Sequence, residues 1–327
     1  MSHPTTDFDF DLVAVGSLAI DHIHRVTVLP KRDAGVAILD RRTGPGGVEG
    51  NIAAAAASLG LRVGMIGHVG ADEAGEMILA DLRERGVDVS RLQVGAPGDT
   101  AYTYAFVDAQ GDRIMMTGGL GVRGLTLDDD DDAYIRRARV VSTSGYLPWP
   151  LLQRVAAICA EPDGPLLSFD LPGEFDDLEG RGFKPEHMEA LLPRIDLFIT
   201  SRESLLSYTG AATIEDGLAY LRARSIRRAA ASDGSQGVHL FEVRGDLEVI
   251  HHLPAFPVQV VDTTGAGDVL HAALVAEWLL GERPANLAGR AAAAAAALAC
   301  QGWGTRSALP SREEAEGLAG AGNPPGT

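Results

Sequence analysis

Short apolar runs alternate with longer amphipathic ones along most of the chain. Leu12–Val15 is a strand-sized apolar run that ends at Gly16-Ser17. Gly44-Pro45-Gly46-Gly47-Val48-Glu49-Gly50-Asn51 opens an Ala-rich helix over Ile52–Leu59, with Gly60 at its C-terminal stop. Val63–Ile66 reads as the next strand, Gly67–Gly70 as a turn and Gly75–Gly86 as a helix stopped by its last glycine. Val140–Ser142, Leu166–Phe169 and Leu197–Ile199 are further buried strands, with helices over Leu151–Ala160 and His187–Leu192 between them. Ala229–Ser232 and Val238–Phe241 are strands around Asp233–Gly237, and Pro284–Cys300 is a late helix. This βαβα alternation predicts an α/β fold: a doubly wound, mostly parallel sheet with helices on both faces.

Two stretches break the alternation. Thr100–Val107 and Arg113–Met116 flank Asp108-Ala109-Gln110-Gly111, which reads as a hairpin. Asp128–Asp132 is a run of five acids, whose spacing does not match a calcium loop; it reads as a solvated helix start. Residues 319–327 are Gly/Pro-rich and predict a flexible tail. There is no linker-like stretch or internal repeat, so residues 1–327 read as one domain.

Val258–Asp268 is the stretch around which this organisation turns. Val258, Val260 and Val261 predict a strand, Asp262-Thr263-Thr264-Gly265-Ala266-Gly267-Asp268 a small-residue turn, and Val269–Leu280 a helix. A turn feeding a helix in this way points free backbone N–H groups, and the positive end of the helix dipole, at an anion. A carboxylate beside an anion site is repelled by its ligand. Asp268 therefore reads either as a cap or as a base that takes the proton from a hydroxyl attacking phosphorus. In a doubly wound sheet ligands sit beyond the carboxyl ends of the strands. Asp21, which can accept from two hydroxyls, and Asn51, which both donates and accepts, fall in such places, with Gly46 and Gly47 allowing close approach of backbone.

Composition narrows the partners. The net charge of −17 disfavours nucleic acid and anionic membrane, so a phosphate would be held by local dipoles and a metal. Met1–Asp11 is acidic and lacks the basic region of a signal peptide, and Ala291–Ala299 is too short and Ala-rich for a membrane span. Two distant cysteines, Cys159 and Cys300, suit a reducing cytoplasm.

The run Asp262–Asp268 closely resembles the C-terminal signature of the ribokinase (PfkB) family of carbohydrate and nucleoside kinases. Gly46-Gly47-Val48-Glu49-Gly50-Asn51 is similar to the family's N-terminal signature, and Gly16–Ile23 to its first strand end and sugar-contacting Asp. Val69–Gly75 and Gly86-Val87-Asp88 match the following segments, and the resemblance runs from about Asp11 to Glu314. It implies ATP-dependent phosphorylation of a hydroxymethyl group. Asp268 would be the general base, with the N–H groups of Gly265, Ala266 and Gly267 as anion hole. Asp21, Gly46, Gly47 and Asn51 would bind the substrate. Thr200, Glu203, Ser232, Gly234 and Gly237 would lie on the nucleotide side, Glu203 reaching Mg²⁺ through water. Asp262, Thr264, Gly304 and Ser307 match positions that hold a monovalent cation, K⁺, in many members. Segments about 24–42 and 98–118 match a small β lid that also suggests a homodimer contact.

This chain departs from the family pattern at four places. Thr200 stands where the family has Asn, Glu49 where a small residue is usual and Val48 where ribokinases have Lys; the family's Asp-x-Asn reads Asp170-Leu171-Pro172. These departures leave a sugar such as ribose, fructose or a keto-deoxy sugar acid beside a nucleoside as the acceptor. A base slot for a nucleoside could come from Tyr102, Tyr104 and Phe106. A non-catalytic sugar- or nucleotide-binding protein is the remaining reading, and the retained Asp268 argues against it. Other chemistries fail on residue type. Neither lysine, Lys31 nor Lys184, sits in a P-loop, and Gly119–Gly124 has dinucleotide-loop spacing but opens no helix. His22/His24 and His251/His252 lack a third zinc ligand, and no Gly-x-Ser-x-Gly elbow is present.

Overall fold

The computed structural model describes residues 8–110, 113–245 and 247–321. Its strands are β1 (Phe10–Val15), β2 (Ala19–Val26), β3 (Ile38–Gly46), β4 (Val63–Gly70), β5 (Asp88–Gly95), β6 (Ala101–Val107) and β7 (Arg113–Gly118). They continue with β8 (Ala138–Ser144), β9 (Leu166–Leu171), β10 (Leu197–Ser201), β11 (Arg228–Ser232), β12 (Val238–Arg244) and β13 (Leu247–Leu253). The large sheet runs β13-β12-β11-β10-β9-β8-β1-β4-β5. It is parallel from β11 through β5, and only β12 and β13 are antiparallel.

Alternate residues of the central strands feed two separate cores. Leu12 and Ala14 of β1 pack with Met65, Ile199, Leu240 and the helices 48–58, 266–274 and 285–299. Val13 and Val15 pack on the other face with Ile66, Phe169, Phe198 and the helices 149–159, 185–191 and 214–222. Strands buried on both faces read as continuous apolar runs rather than alternating ones, which is why they were legible as short blocks. The sheet is therefore the expected doubly wound one.

Three packing details place the site. Helix 48–58 carries five consecutive alanines, Ala53 to Ala57, and lies against helix 266–274. With no bulky side chains between them the two helices approach closely, and their N-termini come side by side. Helix 266–274 is continued by a wider π-helical turn, Val275–Leu280, which buries Trp278. The Trp278 indole donates to Glu242 Oε1 at 3.2 Å, so this large buried ring carries no unsatisfied donor.

The second sheet, β3-β2-β6-β7, is the small lid. β2 and β3 begin earlier and end later than the segment 24–42 expected from sequence, so that Asp21 and Gly46 belong to them, whereas β6 and β7 fall within the expected 98–118. Asp21 thus sits mid-register on a lid strand, opposite Gly44 and Thr103, and not in a turn after β1.

Other local expectations change as well. Val258–Val261 forms no strand. Among the described residues no neighbouring strand offers it a ladder; Val260 and Val261 are exposed, and the Val261 and Asp262 N–H groups donate to the Cys300 carbonyl. Gly67–Gly70 is the end of β4, not a turn. Residues 319–321 are the last of helix Arg312–Ala321, and the rest of the expected tail lies outside the described residues. Asp128–Asp132 does open a helix: Asp128 accepts from the Asp131 N–H at 2.8 Å and Asp131 returns the bond to the Asp128 N–H at 3.0 Å.

Candidate active site

Where the lid meets the carboxyl ends of β1, β8, β9 and β10, a cleft of about 1660 Å³ opens. Drug-sized sites occupy about 300–1,000 Å³, so this one has room for two ligands. Its walls bring together Asp21, Gly47, Asn51, Thr200, Glu203, Ser232, Thr264, Gly265, Gly267 and Asp268, which lie far apart in the sequence.

The floor is the start of helix Ala266–Leu274. Gly265 caps it in a left-handed conformation, φ 82°, and turns the following N–H groups toward the cleft. Nothing lies within 4 Å of the place where a Cβ on Gly267 would stand, so a ligand can approach the backbone there. Asp268 is in the first turn. Asn51 Nδ2 donates to Asp268 Oδ2 at 2.7 Å, across the paired helix starts. Burial raises the Asp268 carboxyl well above the usual carboxylate range; Asn51 opposes this, and Asp170, Glu49 and Asp21 add to it.

Gly46 and Gly47 bend the chain between β3 and helix 48–58. A Cβ on Gly46 would fall 2.0 Å from Asp21 Oδ2. The Asp21 carboxyl is also raised by burial, against a hydrogen bond from Thr103. Asn51 is inside the first turn and not at the cap, which is Gly47. Beneath the floor lies a buried polar layer. Glu49 accepts from the Ser17 N–H at 2.6 Å and the Ser17 hydroxyl at 2.7 Å, and His271 Nε2 bonds the Ser168 hydroxyl at 2.6 Å.

Beyond the carboxyl ends of β10 and β11, Ser201 caps helix Arg202–Thr209 and Glu203 projects from its first turn, exposed to the cleft. The Thr200 hydroxyl is spent on backbone, its one proton within reach of the carbonyls of Ser201 at 3.2 Å and Leu171 at 3.5 Å. Gly234 and Gly237 shape the turn after β11 and do not line the cleft, whereas Ser232 does.

Asp262, Thr264 and Gly304 meet at one turn. Asp262 Oδ1 accepts from the Thr264 N–H at 2.9 Å and its hydroxyl at 2.7 Å, and Oδ2 accepts from the Gly304 N–H at 2.9 Å. Ser307 stands next to Gly302 in the same loop. That loop also reaches the lid. Thr305 donates to the Pro45 carbonyl at 2.8 Å, and the guanidinium groups of Arg25 and Arg42 lie over the Trp303 ring, at 5.0 and 4.9 Å from its centroid.

Tyr102, Tyr104 and Phe106 do not together line a slot for a nucleoside base. Strand alternation turns Tyr104 and Phe106 to the outer face of the lid, stacked on His22 at 4.9 Å and His24 at 5.0 Å; only Tyr102 reaches the cleft edge. The inner face carries Asp21, Ile23, Thr103, Ala105 and Met115 instead. The sequence reading missed Arg306, a buried arginine behind Asn51. Its only signal was a basic residue inside the Gly304–Ser307 segment, and burial of a charge is not written in the local pattern.

Comparison with known proteins agrees with this fold. The chain is 33% identical over 272 residues to the ATP-dependent ribose-1-phosphate kinase of Halopiger xanaduensis, covering 82% of this chain and 84% of that one. It is 29% identical over 315 residues to the ribokinase of Bacillus subtilis, covering 94% and 99%. The structure of Arabidopsis thaliana ribokinase with ribose and ATP superposes with a TM-score of 0.78 at 25% identity, covering 95% and 98%. The profile of the pfkB family of carbohydrate kinases matches residues 9–312. The chain therefore belongs to the pfkB family of carbohydrate kinases, and is a phosphotransferase with an alcohol group as acceptor.

Proposed function

We propose that this enzyme transfers the γ-phosphoryl group of ATP to the hydroxymethyl group of a small carbohydrate of the ribose, fructose or keto-deoxy sugar acid type. The observation that carries this reading is Asp268 in the first turn of an open helix start, held by Asn51 at 2.7 Å. Asp268 takes the proton of the attacking hydroxyl, whose oxygen bonds to the γ-phosphorus as the bond to the β–γ bridging oxygen breaks and ADP leaves. The N–H groups of Gly265, Ala266 and Gly267 stabilise the charge on the transferring group. Asp21, Asn51 and the backbone of Gly46 and Gly47 bind the sugar hydroxyls. Thr200, Ser232 and the Gly234–Gly237 turn shape the nucleotide end, Thr200 through its backbone.

Mg²⁺ keeps most of its water when bound beside phosphates. Glu203, an exposed carboxylate on the cleft wall, suits a contact through water, and the metal would supply charge neutralisation there. The Asp262 carboxylate, with the Thr264 hydroxyl and nearby Gly304 and Ser307 at the same turn, is an oxygen-rich set suited to K⁺. An ion there would stiffen the turn that carries Gly265. The same reading places the enzyme in the cytoplasm, in keeping with its two free cysteines, Cys159 and Cys300. Among the described residues no helix is long and apolar enough to cross a membrane. The outer lid face, with Tyr102, Tyr104, Ile114 and Met116 exposed, suits a homodimer contact.

A phosphorylated pentose is the second reading. It is supported by the relative named for ribose 1-phosphate, and by Arg113, Arg123 and Arg181 on the cleft wall. The test is ADP release from ATP and Mg²⁺ across ribose, ribose 1-phosphate, fructose, 2-keto-3-deoxygluconate, adenosine, cytidine and inosine, with and without K⁺. Turnover confined to nucleosides would overturn the sugar reading, and silence on all with ATP still bound would leave a binding protein.

Two variants refine it. Asp21→Ala raises KM for the acceptor and leaves KM for ATP unchanged; equal loss of both would mark a structural role. The pH dependence has a definite sign. Asp268 must be ionised to accept a proton, so the rate falls as pH drops through its raised pKa, which puts the acidic limb above the usual carboxylate range. Asn51→Leu removes the donor that opposes this rise, and the limb of the kcat profile moves to higher pH. A limb that stays in place would show that the contact does not tune the base.

A further inference from the structure

We propose that Arg306 is a positioning residue for phosphoryl transfer, fixing the Asn51 amide so that its NH₂ faces Asp268. The guanidinium is buried directly behind the acceptor loop. Its Nε donates to Asn51 Oδ1 at 3.0 Å, its Nη2 to the Gly46 carbonyl at 3.0 Å, and its Nη1 pairs with Asp81 Oδ2 at 2.5 Å. Asp81 is itself held by Arg85 at 2.9 Å, and Arg85 also donates to the Arg306 carbonyl at 3.2 Å. One fork thus joins the helix 73–84 to the acceptor loop and to the amide that touches the base.

The chemistry of the two partners makes the arrangement directional. A guanidinium has five donors and no acceptor. Facing Asn51, it can only meet the amide oxygen, so the amide nitrogen is left for the other side, where Asp268 accepts. A flipped amide would set its oxygen against the Asp268 carboxylate and its NH₂ against the guanidinium, losing both bonds. Arg306 also explains a sequence feature. A Cβ on Gly50 would stand 2.6 Å from Arg306 Nη2, so the third glycine of Gly-Gly-x-x-Gly-Asn makes room for the fork. Lysine cannot replace it, since one ammonium does not reach three acceptors in fixed fork geometry.

This inference rests on Asp268 being the base. Its test uses the full-length enzyme with ATP, Mg²⁺ and whichever of ribose, fructose, 2-keto-3-deoxygluconate and ribose 1-phosphate the wild type turns over. Arg306→Lys keeps the charge opposite Asp81 and so the fold, which a thermal melt checks. Its kcat is expected to fall at least about tenfold with KM for ATP unchanged. Arg306→Ala falls about 10²-fold, the usual scale for an ångström-sized misplacement of a reacting group, and millimolar guanidinium restores part of the rate. A folded Arg306→Lys enzyme with wild-type kcat overturns the proposal. So does an Arg306→Ala enzyme that melts like the wild type yet gains nothing from guanidinium. Asp268→Asn measured alongside separates the two claims: if it turns over normally the base assignment fails, whereas an inactive Asp268→Asn beside a fully active Arg306→Lys sinks only the positioning role. A wild type silent on all four acceptors removes both.

Discussion

Asp268→Asn is expected to lower kcat by about 10²–10⁴-fold or more while ATP still binds, the usual scale for loss of a positioned base. Asparagine matches the carboxylate in shape and keeps an oxygen for the Asn51 amide, so the contact at 2.7 Å survives and the fold is undisturbed. What disappears is the capacity to hold the hydroxyl proton. The anion hole is backbone and remains, which is why some turnover should persist. Single-turnover ADP formation with saturating acceptor measures the chemical step, and titration calorimetry measures ATP binding. A variant with near-normal single-turnover rate would mean that the proton leaves by another route and that Asp268 serves only the charge balance of the helix start. Loss of ATP binding together with rate would mean that the helix start had collapsed, and the kinetic loss would then say nothing about proton transfer.

Gly47→Ala should damage the acceptor site and the fold together. Gly47 has φ 87° and ψ 135°, a conformation that side chains rarely adopt, and forcing alanine into it costs about 1–3 kcal/mol. The added Cβ would also stand 2.7 Å from both Leu18 Cα and the Ser17 carbonyl, and 2.8 Å from the Ala19 N–H nitrogen. These are backbone atoms and cannot rotate away, so the β1–β2 connection must shift. That connection carries Ser17, which holds Glu49, and leads into β2 and Asp21. A lowered urea midpoint with a steep rise in acceptor KM is the expected result; an unchanged midpoint and KM would show that the loop relaxes freely and is not a fixed part of the site.

The sequence disclosed those parts of the molecule whose requirements are local. Gly265-Ala266-Gly267-Asp268 and Gly46-Gly47…Asn51 were legible because backbone geometry near a ligand is recorded in glycine. The buried strands were legible because burial on both faces leaves unbroken apolar blocks such as Leu12–Val15. Where partners decide, the reading ran out. Val258–Val261 has strand residues but no strand beside it. Tyr104 and Phe106 could be placed on a strand, but which face meets the cleft depends on how the lid docks. Arg306 carries no local mark at all, because its role is set by Asn51 and Asp81, more than 200 positions away in the chain.

The loop of residues 302–306 gives the molecule an optical consequence. The Trp303 indole stacks against two lid arginines, and its emission depends on how closely they approach. Any tilt of the lid relative to the base of the cleft changes that stacking. Of the other two indoles, Trp278 is sealed in the core and Trp149 sits on the cleft wall against His187. With those two replaced by phenylalanine, the intrinsic fluorescence of the protein becomes a label-free gauge of lid position, readable on the millisecond scale of a stopped-flow mixer.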